Sequence, residues 1–184
     1  MVEPVKCPFV VLVDSNESQP FTFQGLNSDA DKDHRPLVVE YRFTSLGRFP
    51  NSQGDYSIEG CSDRVAVERK AIDDCWATVM GWETEHQTKV GGVGRRDRFK
   101  KELENLAKLE AAIVVVEGSL ASVIDDVPAW GEKPDWVNRK IFFRSVISMM
   151  VDFGVPWLFC DSRRLAEVAT FRFLATWWRK NDGF

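Results

Sequence analysis

The sequence predicts an α/β fold, a mixed central sheet flanked by helices, and three observations lead there. Phe9-Val10-Val11-Leu12-Val13 is a continuous apolar run of the kind found in a strand buried in a mixed sheet. Two short strand-like runs, Gly54 to Glu59 and Arg64 to Lys70, flank a Gly60-Cys61-Ser62-Asp63 turn and form an antiparallel hairpin. In the second half of the chain helical and strand patterns alternate, which implies parallel pairing by crossover. At 184 residues the chain is expected to fold as one domain, burying roughly 70% of its unfolded surface without staples.

The elements follow in order. After the first strand comes a polar loop from Asn27 to Pro36, then a strand near Leu37 to Phe43, then the hairpin. A helix begins near Ala71, because Asp73 and Asp74 suit the positive end of a helix dipole. The stretch from Lys89 to Arg96 contains Gly91-Gly92-Val93-Gly94 and is expected to be a mobile loop. Phe99, Leu103, Leu106 and Leu109 fall near helical spacing between Arg98 and Leu109, and a buried strand from Ala111 to Val116 follows. Asp125 to Trp136, with Pro128, Gly131 and Pro134, is a surface excursion. Helices from Val137 to Phe153 and from Arg163 to Trp178 flank a last strand, Trp157 to Cys160.

Composition removes several classes of function. No run approaches the ~18 apolar residues of a membrane span, and the N-terminus lacks a basic segment followed by an apolar stretch, so a cytoplasmic, unexported protein with no membrane partner is expected. Cys7, Cys61, Cys75 and Cys160 are scattered without a Cys-x-x-Cys pair, which suggests neither a zinc ribbon nor a redox dithiol. His34 and His86 lie in polar stretches without zinc or triad spacing. The glycine-rich stretch lacks the Gly-Lys-Ser/Thr of a phosphate loop, so no nucleotide triphosphate site is expected. The net charge of -4 argues against a generic nucleic-acid coat protein. Its distribution points elsewhere. Lys89, Arg95, Arg96, Arg98, Lys100 and Lys101 gather around the glycines, interrupted only by Asp97, and such a cation-rich segment can follow a phosphate backbone without reading bases. Trp76, on the helix after the hairpin, is the tryptophan best placed to stack on a base.

The hairpin concentrates the chemistry. A turn centred on Cys61-Ser62 pairs Asp55 with Glu68 or its immediate neighbour, and directly opposed side chains have Cβ atoms about 5 Å apart, close enough for one cation to bridge them. Side chains alternate along a strand, so Lys70 shares the face of Glu68 while Arg69 points away, toward either a salt bridge behind the site or a phosphate. Magnesium prefers oxygen ligands and keeps several waters, so two carboxylates, a backbone carbonyl and a substrate phosphate would suffice. Asp14 and Glu17, at the end of the first apolar strand, bring the acids to four. A solvated hairpin face with a cross-strand ion pair is the plain alternative.

Gly54-Asp55, then Glu68-Arg69-Lys70, then three residues and Asp74 resembles the hallmark of the XPF-type nuclease domain, found in structure-selective endonucleases and in smaller standalone proteins of bacteria and phages. Val13-Asp14-Ser15-Asn16-Glu17 is similar to the family's first strand end, with Asn16 where the family carries Arg. Asp97-Arg98-Phe99, Val114 to Gly118 and Val155 to Phe159 also look like the family, so the resemblance covers about residues 10–180. It implies a restriction-endonuclease-like core and a metal-dependent DNA endonuclease, using Mg2+ or Mn2+, that cleaves branched or flapped DNA in repair, recombination or phage DNA processing. Asp55, Glu68, Arg69 and Asp14 form the expected metal set, with Glu17 and Asp14 acting directly or through water. Lys70 orients or deprotonates the attacking water, and Asp74 holds the metal shell or Lys70. Arg69, Lys89, Arg95, Arg96, Arg98, Lys100 and Lys101 are the expected DNA contacts. A catalytically silent, DNA-binding or partner subunit is the alternative, and no helix-hairpin-helix module is expected. The apolar excess of the last helix, together with pairing in the family, implies a homodimer through the C-terminal helices.

Overall fold

Strands form where β-branched and apolar residues run together, and the computed structural model, which describes residues 2–48, 53–82, 94–128 and 133–181, joins seven of them in one mixed sheet. In chain order they are β1 (Val5–Asp14), β2 (Leu26–Asn27), β3 (Pro36–Thr44), β4 (Tyr56–Ile58), β5 (Val65–Lys70), β6 (Ala111–Val116) and β7 (Trp157–Phe159). Five helices accompany them: α1 (Ile72–Met80), α2 (Arg95–Leu106), α3 (Leu120–Asp125), α4 (Asp135–Phe153) and α5 (Arg163–Asn181). The strand order is β2-β3-β1-β4-β5-β6-β7. The pairs β4/β5, β1/β4 and β2/β3 are antiparallel, while β5/β6 and β6/β7 are parallel through helical crossovers.

Period-two alternation divides the core in two. Val65 and Val67 of β5 join Val11, Val13, Tyr56, Ile58 and Val115 under α5, whereas Ala66, Val114 and Val116 face α1, α2 and α4 on the other side. Glu68 and Lys70 therefore emerge on the three-helix face and Arg69 on the α5 face. Trp76 is fully buried in that second core, its indole N–H donating to Val123 O at 2.7 Å and its ring 4.2 Å from Phe142. The expectation of a base-stacking platform fails because the helical phase of α1 turns Trp76 inward.

Three further differences have local causes. β1 and β3 pair in parallel without a helical crossover, since the segment between them wraps the sheet edge and contributes β2. The second helix begins at Arg95, not Arg98, because Gly94 takes extended angles as its N-cap and Asp97 joins the first turn. Just before the expected excursion stands a helix not foreseen, α3, which ends at Asp125 and is capped at its start by Ser119, whose hydroxyl accepts from Ser122 N at 2.9 Å.

The apolar excess of α5 is absorbed inside the subunit. Phe171, Leu174 and Trp177 are buried, Val168, Ala169, Phe173 and Trp178 pack against the same core, and Phe9 sits between Phe171 at 5.9 Å and Trp178 at 5.6 Å. The premise of an uncovered last helix is thus corrected: β1, β4, β5 and β6 pass beneath it and leave Leu165 outside. Exposed apolar residues collect instead on α4, where Trp136 (70% exposed), Phe143, Ile147 and Val151 (77%) recur at intervals of seven, four and four. No helix among the described residues is long and apolar enough to cross a membrane. All four cysteines are free thiols.

Candidate active site

The site begins with a backbone conformation. Gly54 has φ +86°, and a Cβ there would stand 2.9 Å from Val67 O and 3.2 Å from the Ala66 Cβ. Only glycine lets the chain turn this tightly against β5, and the next amide, Asp55 N, donates to the same Val67 O at 2.9 Å. Asp55, the residue before β4, is tied to β5 by that bond, and its carboxylate lies close enough to Glu68 and Lys70 to feel their charges. Asp55 also accepts from Arg69 N at 2.7 Å, which locks its carboxylate to β5.

Asp55 is half-buried, and its desolvation, reinforced by the Glu68 carboxylate, pushes its pKa well above the usual range. Lys70 stands beside them, its ammonium 2.6 Å from Glu68 Oε1, 3.4 Å from Asp74 Oδ2 and 4.7 Å from the Phe99 ring centre. Burial lowers the pKa of Lys70, but the carboxylates of Glu68, Asp74, Asp55 and Glu102 outweigh it and hold the amine charged above the ordinary lysine range. A lysine held as ammonium orients and stabilises charge. Of the two roles expected from the sequence, this arrangement favours orienting water over deprotonating it.

The other predicted acids are already occupied. Glu17 lines the cleft, but its carboxylate takes both oxygens to Arg69 Nη1, at 3.0 and 2.9 Å, and accepts from Gln19 N at 2.8 Å. Asp14 is set back: its carboxylate accepts from Leu46 N at 3.1 Å and Asn16 Nδ2 at 3.2 Å, while its amide donates to Asp55 O at 2.8 Å. One of its oxygens thus bonds Leu46 N and the other Asn16, and Asp14 does not line the cleft that holds Asp55 and Glu68. The Arg69 guanidinium pairs with Glu17 and with Glu117 at 2.7 Å, the salt bridge that was one of its two expected roles. Glu117 also pairs with Arg163 at 2.6 Å. Arg163 in turn donates to Gln19 O at 2.6 Å and Pro20 O at 3.1 Å, and Glu167 accepts from Thr22 N and Phe23 N, so α5 fastens the segment that carries Glu17.

The predicted cationic stretch divides. Arg95 pairs with Asp74 and donates Nε to Thr78 Oγ1 at 3.2 Å, and Arg96 donates to Ser145 Oγ on α4 at 3.2 Å. Both turn inward in the structure without DNA, and the helical phase that buries Phe99 carries Arg95 with it. Lys101 pairs with Glu104 at 3.3 Å on the outer face. Arg98 and Lys100 are half-buried. Lys89 lies outside the described residues.

Sequence reasoning missed Glu117, Arg163 and Glu102. Glu117 carried the same signal as Asp14, an acid closing an apolar strand. Glu102 carried none, since only the packing of α2 on β5 aims it at Lys70; burial, then the Glu68 carboxylate, pushes its pKa up to about 7.

Together these groups line a cleft of about 430 Å³ formed by residues 16–19, Asp55, residues 68–71 and Asp74. Among the described residues no three His, Cys, Asp or Glu side chains form a ready cation cage. Asp55 and Glu68 nonetheless fit a magnesium-like ion: two neighbouring carboxylates repel until a cation lies between them, and such ions take the rest of their shell from water and phosphate.

The ERCC4 domain family model matches residues 28–171. Two solved structures are similar: XPF from Aeropyrum pernix, at 16% identity with a TM-score of 0.55, covering 93% of this chain, and XPF from Aeropyrum pernix in complex with DNA, at 18% identity with a TM-score of 0.53, covering 94%. In both cases this chain spans 66% of the matched chain's length. The likeness establishes a restriction-endonuclease-like α/β fold. No curated protein sequence matches the chain.

Proposed function

The chain belongs to the ERCC4 domain family, the XPF-type nuclease domains, and from that premise we propose that it is a Mg2+- or Mn2+-dependent endonuclease hydrolysing phosphodiester bonds in branched or flapped DNA. The observation that carries the proposal is that Asp55, Glu68 and Lys70 line one cleft, with the Lys70 ammonium 2.6 Å from Glu68.

In this mechanism Asp55 and Glu68 hold the ion, which would polarise a phosphoryl oxygen and lower the pKa of an attacking water. Lys70, kept charged, orients that water and stabilises charge developing on the phosphate. Asp74 fixes Lys70 through its 3.4 Å contact. Asp14 holds the strand end that carries Asp55, and Glu17 with Arg69 forms the rigid rear wall. Arg98, Lys100, Lys101 and Lys89 remain the candidates for the DNA backbone.

The test is cleavage of flap, fork, splayed and plain duplex DNA with Mg2+, with Mn2+ and with chelator. Asp55→Asn and Glu68→Gln should abolish metal-dependent cleavage. The metal-free Tm of Asp55→Asn should stay level or rise, because Asn keeps an acceptor for Arg69 N and removes a desolvated charge. Either variant cleaving at the wild-type rate refutes the assignment. We also propose a homodimer, with the α4 stripe of Trp136, Phe143, Ile147 and Val151 as its centre, since contiguous exposed apolar surface of this kind is uncommon on monomers.

A further inference from the structure

On one face of α2, Arg95, Phe99 and Glu102 recur at intervals of four and three; Arg95 and Phe99 contact the Lys70–Asp74 pair, and the Glu102 charge acts on Lys70. Arg95 pairs with one oxygen of Asp74, whose other oxygen lies 3.4 Å from the Lys70 ammonium, and that ammonium lies 2.6 Å from Glu68. The chain of charges therefore runs from α2 through α1 to β5. Its outer members differ in exposure: the Arg95 side chain is 14% exposed, that of Asp74 37% and that of Glu68 8%.

Resting on the endonuclease reading above, we propose that Arg95 is a positioning residue for Lys70 and not a DNA contact. Arg95 neutralises Asp74 from the far side, and its bond to Thr78 fixes the direction of approach. With that positive charge present, Asp74 attracts Lys70 weakly enough for the ammonium to remain on Glu68. Without it, Asp74 becomes an uncompensated anion at the more exposed end and draws Lys70 away from the cleft floor. The Phe99 ring supplies a cation-tolerant surface beneath the ammonium but no competing charge.

Arg95→Gln keeps a donor for Asp74 and Thr78 while removing the charge. Its kcat on a cleavable DNA should fall about 10- to 100-fold, the order expected when a catalytic group is displaced by about 1 Å. KM and the Kd for the same DNA in chelator should stay within about twofold, the salt slope should not change, and Arg95→Lys should recover most of the rate. Asp74→Asn added to Arg95→Gln should restore part of the lost rate, because it removes the charge that draws Lys70 away. A second readout needs no turnover: reductive methylation of Lys70, followed by mass spectrometry, should accelerate in Arg95→Gln. If the wild-type protein cleaves no DNA, the endonuclease reading fails while the methylation rate still decides the role of Arg95. An unchanged methylation rate overturns the proposal. So does an unchanged kcat with a weakened Kd and a salt slope reduced by about 0.9, which would make Arg95 a phosphate contact.

Discussion

Gly54→Ala tests whether the Gly-Asp step is a steric device or a matter of flexibility. Two costs arise. An L-residue at φ +86° pays about 1–2 kcal/mol for the left-handed conformation, and a methyl 2.9 Å from Val67 O must push apart a backbone pair for about 1–3 kcal/mol. Against these, alanine restricts the unfolded chain and returns roughly 0.4–1 kcal/mol. The net expectation is a loss of about 3 kcal/mol, or a Tm lowered by about 6–12 °C for a domain of this size. Gly60→Ala is the matched control, because Gly60 has φ +80° but a Cβ there would meet nothing within 4 Å. It should cost only about 1 kcal/mol. Urea unfolding of both variants, with m unchanged, gives the comparison. Equal losses at the two positions would refute the close approach and leave left-handed strain as the whole effect. Because Asp55 follows directly, Gly54→Ala should also lower kcat more than Gly60→Ala does.

Three further outcomes are expected. Arg69→Ala strands Glu17 and leaves Glu117 with Arg163 alone, so it should destabilise by about 3 kcal/mol, at the low end for a broken buried pair; a loss below about 1 kcal/mol in urea would show that the wall tolerates its absence. Metal-free stability should fall between pH 4.5 and 7, because Glu102, raised to about 7 from its ordinary 4.5, binds more protons folded than unfolded across that window. Thermal melts of Glu102→Gln should show a shallower decline, and an identical pH profile would argue against the buried position of Glu102. Val151→Glu on α4 should split a dimer seen by light scattering at micromolar concentration without unfolding the subunit, since Val151 is largely exposed; a wild-type monomer mass would sink the dimer outright.

The hairpin was legible because local rules decide it. Period-two alternation and a Gly/Ser/Asp turn suffice to pair β4 with β5 and to put Glu68 and Lys70 on one face, and no distant residue is needed. The carboxylates around them were not, because their partners come from elsewhere in the chain: Glu17 meets Arg69 across 52 residues and Arg69 meets Glu117 across 48. Arg95 shows a different limit. Charge density along a sequence says nothing of helical phase, and once Phe99 and Leu103 are buried, Arg95 must face the site whatever its neighbours do. The apolar residues of α5 misled for a geometric reason: a helix laid over the middle of a wide sheet, with Phe21 and Phe23 packed alongside, buries more than one stripe.

The fastening of residues 19–23 by Arg163 and Glu167 joins positions some 145 residues apart. Synthesis proceeds from the N-terminus at about 5–20 residues per second, so β1, the hairpin and the acids of the cleft leave the ribosome several seconds before the helix that secures Glu17 against Arg69. During that interval the backbone amides of Thr22 and Phe23 have no carboxylate to bond. A nascent chain therefore carries the cleft acids without the wall that holds Glu17, and the order of translation itself leaves the cleft incomplete until α5 has emerged.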